Sequence, residues 1–198
     1  MSEISARLSP FTEDLQKAIN HHIYCEFQAS FAYYEYTFLA YSCAKEENAL
    51  HGFKQYFHRS AIECLADANA FMHYQCQRGG DVELREISAP KLFWGDPIGV
   101  FEKVLEMEKC ISEDLYKLDE IADKCGDRAA CSFIESGFLE KETRHVKTTA
   151  DLLRQMKRVQ GEGVGLFNID KELRKNEGKV PWSNCATEVQ EALLNLKF

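Results

Sequence analysis

The chain has 198 residues, 45% apolar and 28% charged, enough for one globular domain with a sizeable core. Its formal charge of −8 argues against a general nucleic-acid surface or an anionic-membrane surface, since both need basic patches, and it suits attraction of cations. No apolar run approaches the length that spans a bilayer, and the N-terminal MSEISARLSPFTEDL has no apolar signal core, so the expected compartment is the cytosol.

Residues 1–12 are expected to form an N-terminal arm, with Pro10 before the first helix and Thr12 suited to its N-cap. Helix A is predicted from about Glu13 to Cys43, with the stripe Leu15, Ile19, His22, Glu26, Ala29 and Tyr33 spaced by threes and fours. Helix B is predicted from about Glu46 to Arg78, where Gly79-Gly80 ends it. Its stripe runs Phe53, Phe57, Ser60, Cys64, Asp67, Phe71 and Tyr74. Residues 79–96 then form a long connection, kept out of a helix by Pro90 and Gly95, with a short extended piece over Val82–Leu84. At ~3.3 Å per extended residue this segment can cross the whole length of a helix.

Helix C opens at Asp96-Pro97, an N-cap followed by proline at the first helical position. Its stripe is Phe101, Val104, Glu108, Ile111, Leu115, Leu118 and Ala122. After Cys125-Gly126, helix D begins at Asp127 with the stripe Cys131, Ile134, Phe138, Glu142, His145, Thr149 and Leu152, and ends before Gly161. A GEGVG turn follows, then a short helix over Leu166–Lys175 and a last amphipathic helix over Cys185–Leu196. Two antiparallel hairpins, A–B and C–D, joined by one long crossover make an all-α four-helix bundle over residues 13–160, followed by a short helix and tail over 161–198.

Each stripe carries an acid at mid-length: Glu26, Asp67, Glu108 and Glu142. A carboxylate facing a core must be neutralised, paired or bound to a cation. Cys64 and Asp67 are three apart on helix B, and Glu142 and His145 are three apart on helix D, so each pair shares a helix face. Two helices thus offer one ligand each and two offer a pair. Bridging carboxylates suit two divalent cations, and imidazole with carboxylate suits iron among others. Taken singly, the residues have ordinary readings: Glu142 and His145 as solvated surface, Cys64 as a small core residue, Asp67 as a surface acid, Tyr33 as aromatic core. The signal is their coincidence at one depth. The eight cysteines form no CxxC pair, and most read as free thiols in a reducing compartment, with redox-linked pairing as the other reading.

The segments YCEFQASFAYY, QCQRGGDVEL, LEMEK and CSFIESGFLEKE together resemble the animal ferritins over roughly residues 13–170. The resemblance implies a 24-subunit shell that stores iron, and an intrasubunit di-iron site that oxidises ferrous iron, with Glu26, Tyr33, Glu108 and Glu142 at its catalytic positions. The family pattern on helix B is Glu and, three on, His; this chain has Cys64 and Asp67, with Glu63 next door as an acid that could swing in. Glu142 with His145 is closer to the bacterial ferritin pattern, and Glu135 matches the three-fold channel while Ser132 replaces an Asp there. These departures lead to the expectation of an altered two-metal site: Glu108, Glu142 and His145 for one iron, Glu26, Asp67 and Cys64 for the other. Ferroxidase activity would be weak or absent, with a mixed shell shared with an active ferritin subunit as a second form of assembly. The thiols and the tail also resemble the artemins, which implies the alternative of a non-catalytic cage acting as a redox-sensitive stress chaperone or storage protein.

Overall fold

A computed structural model describes residues 5–42, 48–90 and 95–181. It is all-helical, with no strand among the described residues. The order is α1 (Glu13–Tyr41), α2 (His51–Gln77), α3 (Pro97–Lys124), α4 (Arg128–Ile134), a π-helical turn (Glu135–Leu139), α5 (Glu140–Arg158) and α6 (Gly163–Lys175). Helix α1 packs on α2, α3 on α5, α1 on α3, and α6 on α2. The helices expected as A, B and C are therefore α1, α2 and α3, while helix D is one rod in three parts. The predicted end of helix A at Cys43, the start of helix B at Glu46 and the helix over 185–196 lie outside the described residues.

The predicted caps are in place. Thr12 Oγ1 accepts from the Leu15 amide at 3.2 Å, an Asp96 carboxylate oxygen from Gly99 at 2.9 Å and Asp127 from Ala130 at 3.0 Å. Gly79, at a φ of 71°, closes α2. Helix α2 begins later than its sequence pattern suggests. Ala49 turns the chain with a left-handed φ of 43°, and the Leu50 amide returns to the Ala40 carbonyl at 3.0 Å. With Leu50 at the N-cap position, α2 has no cap of its own. Asp170 of α6 supplies one, its Oδ1 accepting from the Gly52 and Phe53 amides at 2.8 and 3.1 Å.

The crossover is fastened where it leaves α2. Buried Asn20 donates to the Asp81 carbonyl and accepts from the Glu83 amide, both at 3.0 Å, and Gln75 donates to the same Asp81 carbonyl at 2.7 Å. The expected extended piece at 82–84 carries no regular structure. Arg78 and Asp127 form a two-pronged ion pair, at 2.6 and 3.1 Å, that ties the end of α2 to the start of α4.

The apolar interior is in two parts. One gathers Tyr33, Phe53, Phe57, Phe101, Leu152 and Met156. The other gathers Leu15, Ile23, Phe71, Leu118, Ile134 and Phe138. Along α1 and α5 the buried acids fall between the two: Glu26 follows Ile23 and precedes Ala29, and Glu142 lies between Phe138 and Leu152; on α3 Glu108 lies between Val104 and Ile111, at the edge of the first part. A polar layer therefore crosses the bundle at mid-height.

The π-turn explains how helix D reaches that layer. Ile134, Phe138 and Glu142 are spaced by fours, and each such step drifts about 40° around a regular α-helix. The wider turn at Glu135–Leu139 takes up the drift and brings all three buried residues into one row.

The borrowed cap on α2 is testable. Asp170→Ala should cost about 1 kcal/mol and lower amide protection at the start of α2 and along α6, leaving α3 unchanged by hydrogen exchange. Gly52→Ala should cost more, because a Cβ there would meet the Asp170 carbonyl oxygen at 1.9 Å, a clash between two backbones.

Candidate metal centre

Of the residues the sequence nominated, all but Glu135 line one small cavity in the polar layer: Glu26, Tyr33, Glu63, Cys64, Asp67, Glu108, Glu142 and His145. Its volume is about 10 Å3, the room of roughly one water. Glu135 opens the π-turn instead, exposed to solvent.

Within the cavity the acids are not equivalent. Glu26 lies 3.3 Å from Nε2 of His22, which is fully buried and whose Nδ1 sits 2.8 Å from Asp114 Oδ2. Burial alone would lower the His22 pKa, but the carboxylates of Asp114 and Glu26 outweigh it and raise it. His22 thus lies between two acids that favour its charged form, with Nε2 facing Glu26 but making no hydrogen bond to it. Asp67 is paired with Lys141, whose ammonium donates to Oδ2 with both side chains nearly buried. The sequence reading placed His22 in the stripe of helix A without a role, and Lys141 had no part in it.

Among the described residues Glu108 and Glu142 form no ion pair with a lysine or arginine, and Glu142 has His145 at 4.0 Å. The Tyr33 hydroxyl donates to Glu108 Oε1. Glu142 Oε1 is buried and without a hydrogen-bond partner. Burial first, and then the Glu108 carboxylate beside it, push the Glu142 pKa well above the ordinary carboxyl value. Glu108, Glu142 and His145 each bring one ligand atom to within 4.8 Å of the others. His145 lies between two acids, with Nδ1 4.0 Å from Glu142 and Nε2 3.7 Å from Glu63. Glu63 therefore does reach the centre from its neighbouring position on α2, while Arg59 holds it at 3.0 Å.

The second expected ligand set is not assembled in this way. Glu26 faces His22, Asp67 is taken up by Lys141, and the Cys64 thiol is held protonated by burial and by the Glu26 and Glu108 charges. A thiol binds metal as thiolate, so this environment works against Cys64 as a ligand. A second cavity of about 70 Å3 shares Glu63, Glu108 and His145 with the first and is walled by Tyr56, Thr149 and Val180. It lies directly beside the centre.

Residues 16–159 match the ferritin-like domain family. The chain belongs to the ferritin family. It is 34% identical to a chloroplastic ferritin of Zea mays, over 82% of this chain and 66% of that protein. It is 32% identical to the soma ferritin of Lymnaea stagnalis, over 87% of this chain and 97% of that one. The crystal structure of a ferritin from the green alga Ulva pertusa superposes with a TM-score of 0.80 at 32% identity, covering 86% of this chain and 87% of that one. This ferritin thus keeps the family bundle while distributing protein cations through the layer where its acids converge.

The raised pKa of Glu142 has a signed consequence. Its folded value lies above its unfolded value, so the folded, metal-free protein holds an extra proton, and this group's contribution falls as pH rises from about 4.5 through the folded value. Urea unfolding of the metal-free protein across that range should show Glu142→Gln gaining on the native chain as pH rises. A gap that narrows with rising pH would show that Glu142 is not the protonated acid.

Proposed function

We propose that this ferritin is an iron-storing cage subunit whose bundle holds one tightly bound ferrous ion in place of a two-iron oxidation centre. The observation that carries the reading is the unequal balance of charge in the polar layer. Glu26 and Asp67 have partners of their own in His22 and Lys141, whereas Glu108 and Glu142 converge with His145 as a set of three metal-capable groups. A carboxylate pair with one imidazole is a donor set suited to ferrous iron. Glu108 would bind as the carboxylate that Tyr33 orients, and Glu142 would give up its proton as the ion enters. Glu63 would approach from the far side of His145.

Iron is the cargo here, and its oxidation would be slow or absent. Reducing dioxygen to peroxide draws two electrons, which two ferrous ions held together can supply and one cannot. Where a second ion would sit, the Lys141 ammonium occupies the Asp67 carboxylate. Tyr33 and the four acids are proposed as site residues in this sense, and Glu135 as a channel residue in the shell.

The assembly inferred is the 24-subunit shell, open to co-assembly with an active ferritin subunit, with residues 1–12 as an arm, 13–160 as the bundle and 161–198 as short helix and tail. We place it in the cytosol, whose reducing poise suits the free thiols, including exposed Cys76 and Cys110. Among the described residues no helix is long and apolar enough to cross a membrane. The chaperone alternative leans on the thiols and on a tail outside the described residues. Purified native particles with a dense iron core favour storage, and particles without iron that suppress aggregation of a heated client favour the alternative.

Anaerobic titration of the metal-free assembly with ferrous iron should saturate near one tight ion per subunit. Glu142→Ala or His145→Ala should weaken that binding by at least about tenfold, the loss of one ligand. Lys141→Ala should raise the stoichiometry toward two and speed oxidation of ferrous iron in air. Two tight ions in the native chain, or tight binding that survives both ligand changes, would overturn the one-ion reading.

A further inference from the structure

Three metal-capable side chains meet at a second place, outside the carboxylate cavity. His21 and Cys25 stand one turn apart on α1, and α3 brings Asp114 beside them. One ligand atom from each lies within 4.8 Å of the other two. His21 Nε2 is 3.4 Å from Asp114 Oδ1 and 3.7 Å from Cys25 Sγ.

Those two separations are close to what a tetrahedral cation imposes. Bonds of about 2.0 Å to nitrogen and oxygen and about 2.3 Å to sulfur set neighbouring ligand atoms roughly 3.3–3.6 Å apart. The trio therefore needs only a small inward adjustment to close on an ion. His21 is half exposed, which leaves the fourth corner open to water. Asp114 is held in position: its other oxygen, Oδ2, lies 2.8 Å from Nδ1 of fully buried His22. A ligating carboxylate fixed by an outer partner in this way is a recurrent feature of metal sites. Burial first, and then the Asp114 and Glu26 charges, push the Cys25 thiol up to about 12, with Arg85 of the crossover acting the other way. Cys25 is only half-buried, beside two further donors and an open corner, so an entering ion has room to displace that proton.

We propose that His21, Cys25 and Asp114 bind a divalent transition cation of borderline softness, with zinc as its type, at a site separate from the carboxylate centre. The sulfur and imidazole donors exclude magnesium and calcium, which take oxygen ligands. The site is joined to the interior through one residue. Asp114 meets His22 on one side, and His22 meets Glu26 at 3.3 Å on the other.

Cobalt(II) titration of the metal-free assembly tests this, because a cobalt–thiolate bond gives a near-ultraviolet charge-transfer band and tetrahedral cobalt gives strong visible bands. The native chain should show both, with one equivalent per subunit. Cys25→Ser should abolish the charge-transfer band, and Cys64→Ser should leave it. His21→Ala and Asp114→Asn should each weaken cobalt binding by about tenfold or more. The first of these sits on the surface and should leave helicity and assembly unchanged. Glu142→Ala should retain the band, which separates this site from the iron reading of the carboxylate centre. A native chain without the band, a band that survives Cys25→Ser, or affinity indifferent to His21→Ala would overturn the proposal.

Discussion

Everything in this bundle is arranged around four carboxylates placed where a folded chain can least afford them. Glu26, Asp67, Glu108 and Glu142 are each at most 6% exposed, at a level between two apolar clusters. Bringing a carboxylate out of water costs several kcal/mol unless a partner compensates it. The layer meets this cost in three different ways. Glu26 and Asp67 have basic partners in His22 and Lys141. Glu108 receives a hydroxyl donor from Tyr33. Glu142 is biased toward its protonated form by burial and by the Glu108 charge. Only the last two arrangements are reversible by a metal, since a cation can replace a proton and add to a hydroxyl, but must compete with an ammonium already in place.

The fold supplies that layer with geometry from outside it. The π-turn sets the rotation of α5, and so decides that Glu142 and His145 face the layer along with Glu108. The Arg78–Asp127 pair fixes α4 against the end of α2, and so fixes the starting point of the rod that the π-turn re-aims. On the other side, α6 is docked on α2 by the backbone approach at Gly52 and by the Asp170 cap. The chain beyond α6 then reaches the wall of the cavity beside the centre at Val180. Both attachments bear on α2, the helix that carries Glu63, Cys64 and Asp67.

The helices, their caps, the crossover and the depth of the four acids were legible in the sequence because they depend on periodicity and on local end chemistry. Thr12, Asp96 and Asp127 announce helix starts whatever surrounds them. What was not legible depends on side-chain reach and on helix phase. Lys141 is one residue from Glu142, so a regular helix sets it about 100° away, yet a long flexible stem lets its ammonium turn back to Asp67. Glu63 has the same displacement from Cys64, and there the sequence did name the swing as open to it. The π-turn leaves only the four-and-four spacing of Ile134, Phe138 and Glu142 as its trace, which also fits an ordinary stripe with scatter. His22 was visible as a histidine on an apolar stripe, but its role depends on Asp114, ninety-two positions away.

The charge of the layer argues for one ion more strongly than the ligand count does. Lys141 is paired with Asp67, His22 lies between Glu26 and Asp114, and Arg59 holds Glu63, while Glu108 and Glu142 meet at His145. A single divalent ion at that point meets two carboxylates. A second divalent ion at Asp67 would arrive where an ammonium already stands. In a water-poor interior unlike charges are strongly favoured and uncompensated ones strongly opposed, so the second ion has to expel Lys141 before it can bind. An acid at position 67 therefore does not by itself make a second metal position; what stands beside it decides.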